Sequence, residues 1–466
     1  MLDPRFAPHN THLEDPKAFS QLDPHLRRLN QQRLAYRFPL LDHLPRHKAG
    51  IYSITGGRQI GKSTVLKQWM ADMLAAGVNP CQLVYFTGEL IDDHHALVRL
   101  LSGHLKSIVG KGLIHVLMDE VTYIKDWDKG VKFLADAGLL ENVVLVLTGS
   151  DSVIIREARM RFPGRRGKAG TVDFHLFPLT FCETVGLRKS LTATDMADLT
   201  EPGRNIPPRL QSLLSEAFDR YLMHGGYLLA INDLEATGVI DASTFATYYD
   251  WIRGDVLKRD KQERYLFEIL GAIHRRYGTQ VTWNNLAHDL SIDHPATVSD
   301  YVNLLVSMDA VFVQQALLED KLAGAPKKAR KVMFSDPFIH HAVRSGLTPD
   351  ADPFLHQVVP MLRDPEAVAG IVEACAVTHV RRFWPTFYIK AEGEVDIAYV
   401  ENRRFWPIEV KWTRQLRTKD LKQIAKYRNS RVWSRSWESE QVSGVPAEPL
   451  PLALLRLGAS PATMNL

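Results

Sequence analysis

Short apolar runs alternate with longer amphipathic segments in the part of the chain that follows residue 48. The runs are IYSIT at 51–55, QLVYF at 82–86, HVLMDE at 115–120 and VVLVLTGS at 143–150. Runs that are almost entirely apolar predict strands buried on both faces, which are typical of a parallel sheet covered by helices. The pattern therefore predicts an α/β domain that follows a polar, basic N-terminal segment.

The middle and the end of the chain carry different patterns. In 216–234 and 266–278 apolar residues recur three and four positions apart, which predicts helices. Later strand-like runs are TFYIK at 386–390, EVDIAYV at 394–400 and FWPIEVK at 405–411. The predicted divisions are an N-terminal segment over 1–48, an α/β core over 49–170, a helical region over 171–345 and a second α/β domain over 346–466.

A helix-turn-helix pattern lies within the helical region at 281–306. A short helix is followed by a turn at 291–295 and a second helix, and the next stretch, 311–334, is typical of a β-wing. Its basic residues are Lys321, Lys327, Lys328, Arg330 and Lys331. A winged helix places a helix in the major groove of DNA while basic wing residues meet phosphates. The second helix here has no arginine or lysine, so packing on the protein's own core is the alternative.

Composition narrows the class of protein without deciding it. The chain has 466 residues and a mass of 52.7 kDa, which predicts about three domains. Hydrophobic residues make up 45% and charged residues 24%, which argues against a disordered chain. Lysine and arginine number 57 against 53 acidic residues, for a net charge of +4. So small an excess neither implies nor excludes a nucleic-acid partner.

Cysteine usage and hydropathy predict the compartment. Cys81, Cys182 and Cys375 are far apart in sequence and form neither a disulfide framework nor a zinc motif. The N-terminus has charges and prolines where a secretory peptide needs an apolar run. Apolar stretches fall far short of the ~18 residues that span a bilayer. We therefore expect a cytoplasmic protein that does not associate with a membrane.

The strongest chemical signal is a phosphate-binding loop between the first predicted strand and the helix that follows. Residues 56–64 match the pattern G-x-x-x-x-G-K-[ST], in which backbone N–H groups surround phosphates. Lys62 would reach the β and γ phosphates of ATP, and Ser63 would offer its hydroxyl to Mg²⁺. The predicted nucleotide-binding residues are Gly56, Gly57, Arg58, Gln59, Ile60, Gly61, Lys62, Ser63 and Thr64.

Acidic and hydroxyl residues follow two neighbouring predicted strands. Asp119 and Glu120 come directly after the apolar run that begins at Val116, at the edge of the sheet where the phosphate loop lies. Asp119 would hold Mg²⁺, directly or through water, and Glu120 would polarise the attacking water. Thr148 ends the next strand, where its hydroxyl would sense the γ-phosphate.

A second group of acidic residues lies in the C-terminal region. Glu409 and Lys411 share one face of a predicted strand, because side chains alternate along strands. A hairpin at 401–404 would bring Asp396 beside Glu409, and Glu373 would be presented by the preceding helix. Two carboxylates on neighbouring strands can bind Mg²⁺ or Mn²⁺, while the lysine stabilises the attacking water or the charge on phosphorus. The predicted metal ligands are Ser63 and Asp119 in one site and Glu373, Asp396 and Glu409 in the other.

The order of these motifs resembles known families. The sequence resembles AAA+ and archaeal-type P-loop ATPases, most closely those that combine an AAA_14 domain with a DUF4143 C-terminal region. The motifs that carry the resemblance are GGRQIGKST, LMDEVTYIKDW, LTGSDS, PGRRGK, HGGY, the 280–305 segment and EVD…IEVK. Asp396, Glu409 and Lys411, with Glu373 and a Gln423/Tyr427 pair expected on one helical face, resemble the PD-(D/E)xK nuclease superfamily.

The resemblance implies a fold in three parts. These are a P-loop NTPase parallel sheet, a helical lid with a winged helix, and a C-terminal restriction-endonuclease-like α/β domain. It also implies a homo-oligomer in which an arginine finger acts across the subunit interface. Arg165 and Arg166 are the candidates, with Arg161 behind them. A solvated basic loop is the alternative interpretation of these arginines.

The sequence thus predicts an ATP-hydrolysing protein coupled to metal-dependent DNA cleavage or DNA binding, of a kind suited to genome defence or mobile-element control. A rival hypothesis is a nucleotide-switched DNA- or protein-binding regulator whose nuclease-like domain is catalytically silent. A third is an ATPase directed at protein partners, without salt-sensitive DNA binding.

Overall fold

A computed structural model describes residues 2–108, 112–149, 160, 162, 164, 166–167, 170–201, 203–438 and 441–459 of the chain. The chain divides into two compact units, Met1–Phe177 and Pro178–Leu466.

The first unit is built on a parallel sheet. Its strands are β1 (Gly50–Thr55), β2 (Leu83–Thr87), β3 (Ile114–Asp119), β4 (Val143–Thr148) and β5 (Asp173–His175). Their order in the sheet is β2-β3-β4-β1-β5, and all of the pairs are parallel. Strands β1, β2 and β4 are buried at every position, as expected for a sheet with helices on both faces. The predicted parallel α/β sheet is confirmed.

Helices surround this sheet. The α-helices of the first unit are Phe19–Leu22, Pro24–Gln31, Leu40–His43, Lys62–Ala75, His94–Ser107 and Trp127–Asp136. Short 3₁₀ helices cover Pro4–His9, Thr11–Leu13, Pro80–Gln82, Gly88–Leu90 and Val121–Tyr123. Asp93 caps the helix that it precedes, because its carboxylate accepts a hydrogen bond from the Ala96 N–H at 2.9 Å.

The N-terminal segment packs on the sheet. Phe6 is fully buried, and its ring meets that of Phe86 edge-to-face at 4.9 Å. The Asn10 side chain hydrogen-bonds both the N–H and the carbonyl of Tyr85 at 2.8 Å. His12 is buried and lies 2.9 Å from the Leu83 carbonyl. Although the segment is polar in composition, Phe6, Asn10 and His12 all contact residues of β2.

The second unit begins with helices. They are Phe181–Leu187, Ala193–Thr200, Pro208–His224, Leu228–Thr237, Ala242–Leu257, Glu263–Arg275, Trp283–His288, Pro295–Ser307 and Pro337–Leu347. Strands β6 (Val311–Gln315) and β9 (Arg330–Phe334) pair antiparallel, and so do the short strands β7 (Leu317–Leu318) and β8 (Ala323–Gly324). The helix pair at 283–307 followed by this ribbon has the element order predicted for a winged helix.

A six-stranded sheet completes the second unit. Its strands are β10 (Thr386–Lys390), β11 (Glu394–Glu401), β12 (Arg404–Lys411), β13 (Arg431–Ser434), β14 (Gln441–Val442) and β15 (Val445–Pro449). Strands β10, β11 and β12 are antiparallel, whereas β12, β13 and β15 are parallel. A π-helical turn at Phe354–Val358 and helices Val359–Arg363, Pro365–Arg381 and Leu450–Ala459 accompany it. The helix Pro365–Arg381 buries Ile371, Val372 and Val377 in the same core as Ile397 and Ile408 of the sheet.

The HGGY motif is explained by close backbone packing. Gly226 donates its N–H to the Asp336 carboxylate at 2.9 Å, and the same carboxylate caps the helix Pro337–Leu347 through the Phe338 N–H. Gly225 has a φ of +54°, and a Cβ atom there would overlap Asp336 Oδ1. Because these two residues are glycines, the Asp336 carboxylate can approach the backbone at Gly225 and Gly226, more than a hundred residues earlier in the sequence.

One sequence expectation is wrong. The KQIAKY stretch is predicted to be an α-helix that presents Gln423 and Tyr427, but only 3₁₀ turns occur there, at Thr418–Leu421 and Ile424–Lys426. The two side chains nevertheless meet, since Gln423 Nε2 lies 3.4 Å from the Tyr427 hydroxyl. Among the described residues, no helix is both long and apolar enough to cross a membrane.

Candidate functional site

The phosphate loop joins β1 to the helix Lys62–Ala75. Gly56 and Gly61 have φ values of +149° and +102°, which favour glycine. A Cβ atom on Gly56 would overlap the Leu176 carbonyl oxygen. Gly61 is the N-cap, so the free N–H groups of the first helical turn lie at the loop. This arrangement gives the helix terminus the character of an anion site.

Lys62 folds back over the loop. Its ammonium group donates hydrogen bonds to the carbonyls of Gly56 at 3.0 Å and Gly57 at 2.8 Å, and its side chain is buried. Arg58 donates to the Tyr123 hydroxyl at 3.2 Å. The remaining residues of the predicted set, Gln59, Ile60, Ser63 and Thr64, are contiguous with these in the loop and the first helical turn.

Asp119 is the centre of the hydrogen-bond network beside the loop. The hydroxyls of Ser63 and Tyr85 both donate to its Oδ2, at 2.6 Å and 2.5 Å, and the Thr148 hydroxyl donates to Oδ1. Thr148 also accepts the Glu120 N–H at 3.1 Å. The structure thus brings together four residues that the sequence proposed, Ser63, Asp119, Glu120 and Thr148. Tyr85 is an addition that its position at the end of an apolar run did not reveal.

The donor set at Asp119 suits Mg²⁺. A buried carboxylate and the Ser63 hydroxyl are hard oxygen ligands already at hydrogen-bonding distance from one another, and Mg²⁺ in nucleotide sites uses few protein oxygens together with phosphates and water. Ser63 and Asp119 would therefore hold the ion. Burial and the charge of Asp119 raise the pKa of the Tyr85 hydroxyl, so that it stays a hydrogen-bond donor.

A buried ion pair lies next to this hydrogen-bond network. Lys67 and Asp23 are both fully buried and lie 3.0 Å apart. The Lys67 ammonium also lies 3.7 Å from the centre of the Tyr85 ring, a cation–π contact. Burial lowers the pKa of Lys67 despite the opposing charges of Asp23 and Asp119. The N-terminal segment therefore contributes a charge next to the tyrosine that binds Asp119.

Of the three arginine-finger candidates, the structure describes only Arg166. Arg166 forms a two-pronged ion pair with Asp173 and donates to the Val172 carbonyl at 3.2 Å. A finger role for Arg166 would require this pair to break. Arg161 and Arg165 lie outside the described residues.

The second group of acidic residues also assembles. Asp396 on β11 and Glu409 on β12 lie on adjacent strands, and Asp396 Oδ2 accepts the Val410 N–H at 2.8 Å. Lys411 Nζ pairs with Glu409 Oε1 at 2.6 Å. Burial and the charge of Asp396 raise the pKa of Glu409, and the same two causes raise the pKa of Glu373.

Two members of this group were missed from the sequence. Glu394 lies two positions before Asp396 on β11 and so shares its face of the sheet. One oxygen each of Glu373, Glu394 and Asp396 lie within 4.8 Å of one another. Lys331, expected in an exposed wing, is buried instead, with its ammonium 2.7 Å from Glu373 Oε1 and in contact with Glu394. We refer to Glu373, Glu394, Asp396, Glu409, Lys411 and Lys331 as the carboxylate cluster.

The carboxylate cluster fits a divalent cation by its donors. Its carboxylates are hard oxygen ligands, and Glu409 Oε2 is a buried oxygen without a hydrogen-bond partner among the described residues. Buried acceptors of this kind are normally satisfied. The ammonium groups of Lys331 and Lys411 already pair with carboxylates of the cluster. A metal ion would therefore share these carboxylates with two positively charged side chains.

A basic stretch begins at the turn of the β11–β12 hairpin, which carries Asp396 and Glu409. Between Arg403 and Arg435 basic residues far outnumber acidic ones. Those with exposed side chains are Arg403, Arg404, Arg414, Arg417, Lys419, Lys422, Lys426, Arg428, Arg431 and Arg435. Lys426 pairs with Glu392. The net charge of the whole chain is close to neutral and does not reveal this local excess of positive charge. A cluster of exposed basic side chains can bind the phosphate backbone of a nucleic acid.

Two protein families match parts of the chain. Residues 48–185 match AAA_14, described as an AAA domain, and residues 215–351 match DUF8612, described as a domain of unknown function. The first match includes the phosphate loop, Asp119 and Thr148, so the chain contains an AAA-type P-loop ATPase domain. Neither family is the DUF4143 region or the nuclease superfamily, and both of those resemblances remain predictions. No curated protein matches the chain.

Several solved structures resemble the chain at low identity. The Walker-type ATPase of Pyrococcus abyssi is 15% identical, with 66% of this chain and 93% of that chain covered and a TM-score of 0.42. The Aeropyrum pernix ORC1 protein, solved in complex with DNA, is 15% identical over 75% of this chain and 94% of that chain, with a TM-score of 0.30. A RuvB variant of Thermotoga maritima is 16% identical over 61% of this chain and 84% of that chain, with a TM-score of 0.26. Similarities this distant do not define an activity.

Proposed function

We propose that this protein hydrolyses ATP in its AAA-type domain and couples that step to metal-dependent cleavage of DNA by its C-terminal domain, as in the DUF4143-type ATPases and PD-(D/E)xK nucleases that the sequence resembles. A role in genome defence or mobile-element control would suit such a coupling. The observation that carries the cleavage half of the proposal is the juxtaposition of Asp396, Glu409 and Lys411 on adjacent strands, with Glu373 beside them.

The ATPase half follows from the phosphate loop. The backbone N–H groups at the start of the helix Lys62–Ala75 would bind the phosphates, and Lys62 would exchange the carbonyls of Gly56 and Gly57 for phosphate oxygens. Glu120 would orient the attacking water beside Asp119, and the Thr148 hydroxyl would stand next to the γ-phosphate. Mg²⁺ held by Ser63 and Asp119 would neutralise phosphate charge.

The cleavage half follows from the carboxylate cluster. Glu373, Asp396 and Glu409 would hold Mg²⁺ or Mn²⁺, which activates water and stabilises charge on phosphorus. Lys411, paired with Glu409 at 2.6 Å, would hold the nucleophile or the developing negative charge. The exposed basic residues between Arg403 and Arg435 would bind the DNA backbone next to the scissile phosphate.

The assembly is part of the proposal. AAA-type domains that hydrolyse ATP with an arginine finger need a neighbouring subunit, so we expect a homo-oligomer in which Arg165 or Arg166 reaches the γ-phosphate of the next subunit. The Arg166–Asp173 pair favours Arg165 of the two.

Labelled single- and double-stranded DNA with Mg²⁺ or Mn²⁺, with and without ATP, tests the cleavage half. Wild-type protein should cut in the presence of the metal, and Lys411→Ala should not. Lys390→Ala is the matched control, because Lys390 is an exposed lysine on the same sheet. If wild type and Lys411→Ala cut the labelled DNA only to the same background level, the proposed nuclease activity is wrong and the alternative function described next is favoured.

A second candidate function is a nucleotide-switched regulator that binds DNA or protein without cutting. One observation favours it: Lys331 places an ammonium among the carboxylates that a metal ion would need. This regulator would retain ATP turnover, salt-sensitive DNA binding or both, while metal and Lys411 would be irrelevant.

A further inference from the structure

Lys331 is the most deeply buried charge in the carboxylate cluster. Its side chain is 1% exposed, and its ammonium lies 2.7 Å from Glu373 Oε1 and in contact with Glu394. Burial lowers the pKa of Lys331, but the charges of Glu373, Asp396 and Glu394 raise it further, so the pKa lies above its usual value. The lysine is therefore a permanent cation at the point where three carboxylates converge.

Lys331 belongs to a structural element separate from the sheet that carries the acids. It lies on β9, opposite Gln314 of β6. Gln314 Nε2 donates to the Asp396 carbonyl at 2.8 Å and the Phe387 carbonyl at 3.1 Å. The Tyr388 hydroxyl donates to the Ala329 carbonyl at 2.5 Å. These polar contacts, together with Phe312 and Met333, which are buried in the same core as Ile397 of β11, hold the β6–β9 ribbon and its lysine against the sheet.

An ammonium and a divalent cation compete for the same oxygens. Lys331 uses Glu373 and Glu394, whose oxygens together with Asp396 form the only group of three potential ligands that converge among the described residues. Two cations sharing these oxygens would repel one another, and the partial burial of the site strengthens that repulsion. Lys411 differs, since it pairs with Glu409 at the edge of the cluster and keeps a partly exposed side chain.

We propose that Lys331 is an internal cation that competes with a divalent metal ion for Glu373, Glu394 and Asp396, and that the metal enters only when the ammonium group of the lysine leaves these carboxylates. This inference rests on the proposed metal-dependent function and adds its regulation: Lys331, a residue of the winged-helix region, occupies the cleavage site in place of the metal. Glu394 becomes a ligand of the loaded site in addition to the residues that the sequence indicated.

Metal binding by full-length protein tests the competition directly. Mn²⁺ titrations followed by calorimetry, and thermal unfolding with and without Mn²⁺, should be run on wild type, Lys331→Met and Lys331→Arg. Removing the competing charge should tighten Mn²⁺ binding at least about tenfold, since apparent affinity scales with the fraction of competent molecules. Lys331→Met should also gain more thermal stability from Mn²⁺ than wild type does. Lys331→Arg keeps the charge and should bind as weakly as wild type.

The results separate the two proposals. If wild type and Lys331→Met bind Mn²⁺ with equal affinity, the metal site exists and the competition is disproved. If neither binds Mn²⁺, the metal-dependent function fails and the competition fails with it. Tight binding by Lys331→Met that is lost in Lys331→Met with Asp396→Asn supports both.

A measurement on unaltered protein covers the case in which Lys331→Met does not fold. Amine-reactive labelling followed by mass spectrometry reports whether Lys331 is accessible. Labelling of Lys331 should rise at least about tenfold in Mn²⁺ relative to chelator, because displacement exposes the amine. Lys327, which is exposed in the ribbon, should label equally in both conditions. Unchanged protection of Lys331 in saturating Mn²⁺ would overturn the proposal.

Discussion

Ser63 Oγ and Asp119 Oδ2 lie 2.6 Å apart, so the first turn of the helix after the phosphate loop is hydrogen-bonded to the end of β3. Tyr85 on β2 and Thr148 at the end of β4 donate to the same carboxylate. Three elements of the parallel sheet and the loop helix therefore converge on one buried side chain. Asp119 is oriented before any nucleotide arrives, which is the preorganisation that a metal-nucleotide site requires.

Tyr85→Phe removes one of these hydrogen bonds without changing the shape of the core. We expect the free energy of unfolding to fall by about 1.5–3 kcal/mol, as for other hydrogen bonds to charged groups, and ATP turnover to fall because Asp119 is less well fixed. Denaturant unfolding and a phosphate-release assay measure both. Tyr52→Phe is the control: its hydroxyl bonds the Lys48 carbonyl at 2.9 Å, away from Asp119, and turnover should be unchanged.

Asp23→Asn tests the buried ion pair beneath the site. Asparagine can still cap the helix Pro24–Gln31, as Asp23 does through the N–H groups of His25 and Leu26, but it removes the partner charge of the buried Lys67. Breaking a buried pair in this way costs about 3–5 kcal/mol, and denaturant unfolding should show it. Asp42→Asn, which weakens the exposed pair with Arg37 at 2.7 Å, should cost at most about 1 kcal/mol. Equal effects of the two substitutions would contradict the predicted role of burial.

The sequence predicts what short-range patterns determine. The strands of the first unit are continuous apolar runs, and the phosphate loop is a contiguous motif, so β1, β3 and β4 and Lys62 could be placed without a structure. Glu394 could also have been found, because it lies two residues before Asp396 on one strand face. Lys331 could not, since its basic neighbours Lys327 and Lys328 are exposed and only the packing of the ribbon on β10 and β11 buries it.

The N-terminal segment also contains buried polar residues that local sequence patterns do not predict. Its polar, basic composition does not indicate which residues are buried, yet Asn10 and His12 are buried and hydrogen-bond the backbone of β2. Whether a polar side chain finds a buried partner depends on contacts across about 70 residues, which no local pattern encodes.

Gly225→Ala tests the close packing between the HGGY motif and the helix Pro337–Leu347. Gly225 has φ +54° and ψ −145°, a conformation open to glycine, and an added Cβ would overlap Asp336 Oδ1. We expect a loss of about 3 kcal/mol or more in the free energy of unfolding, because backbone strain and a clash with a buried carboxylate combine. Gly238→Ala is the matched control: its φ is +77° but nothing lies within 4 Å of an added Cβ, so it should cost about 1 kcal/mol.

Buried histidines destabilise the second unit as the pH falls, and buried carboxyl groups oppose them. Burial lowers the pKa of His224 to about 3, of His379 to about 3 and of His341 to about 4. Each histidine is neutral when folded but binds a proton when unfolded, so its contribution is complete above about pH 6.5 and is lost as the pH falls. Asp336 acts in the opposite direction, because burial raises its pKa to about 7 and protonation then favours the folded state. At pH 5 the three histidines together cost on the order of 6 kcal/mol, and protonation of Glu373 and Glu409, whose pKa values are also raised, offsets this cost together with Asp336.

His379→Gln isolates one of these contributions. His379 Nδ1 lies 2.8 Å from the Cys375 carbonyl, to which it donates, and Nε2 accepts the Phe181 N–H at 3.0 Å. Protonation would place a second donor against that N–H, so the folded protein excludes it. Going from pH 7.5 to pH 5, the change in the free energy of unfolding should be more favourable in His379→Gln than in wild type by about 2 kcal/mol. His288→Gln, at a side chain that is 91% exposed, should keep the wild-type pH dependence, and an unchanged dependence in His379→Gln would show that the acid sensitivity arises elsewhere.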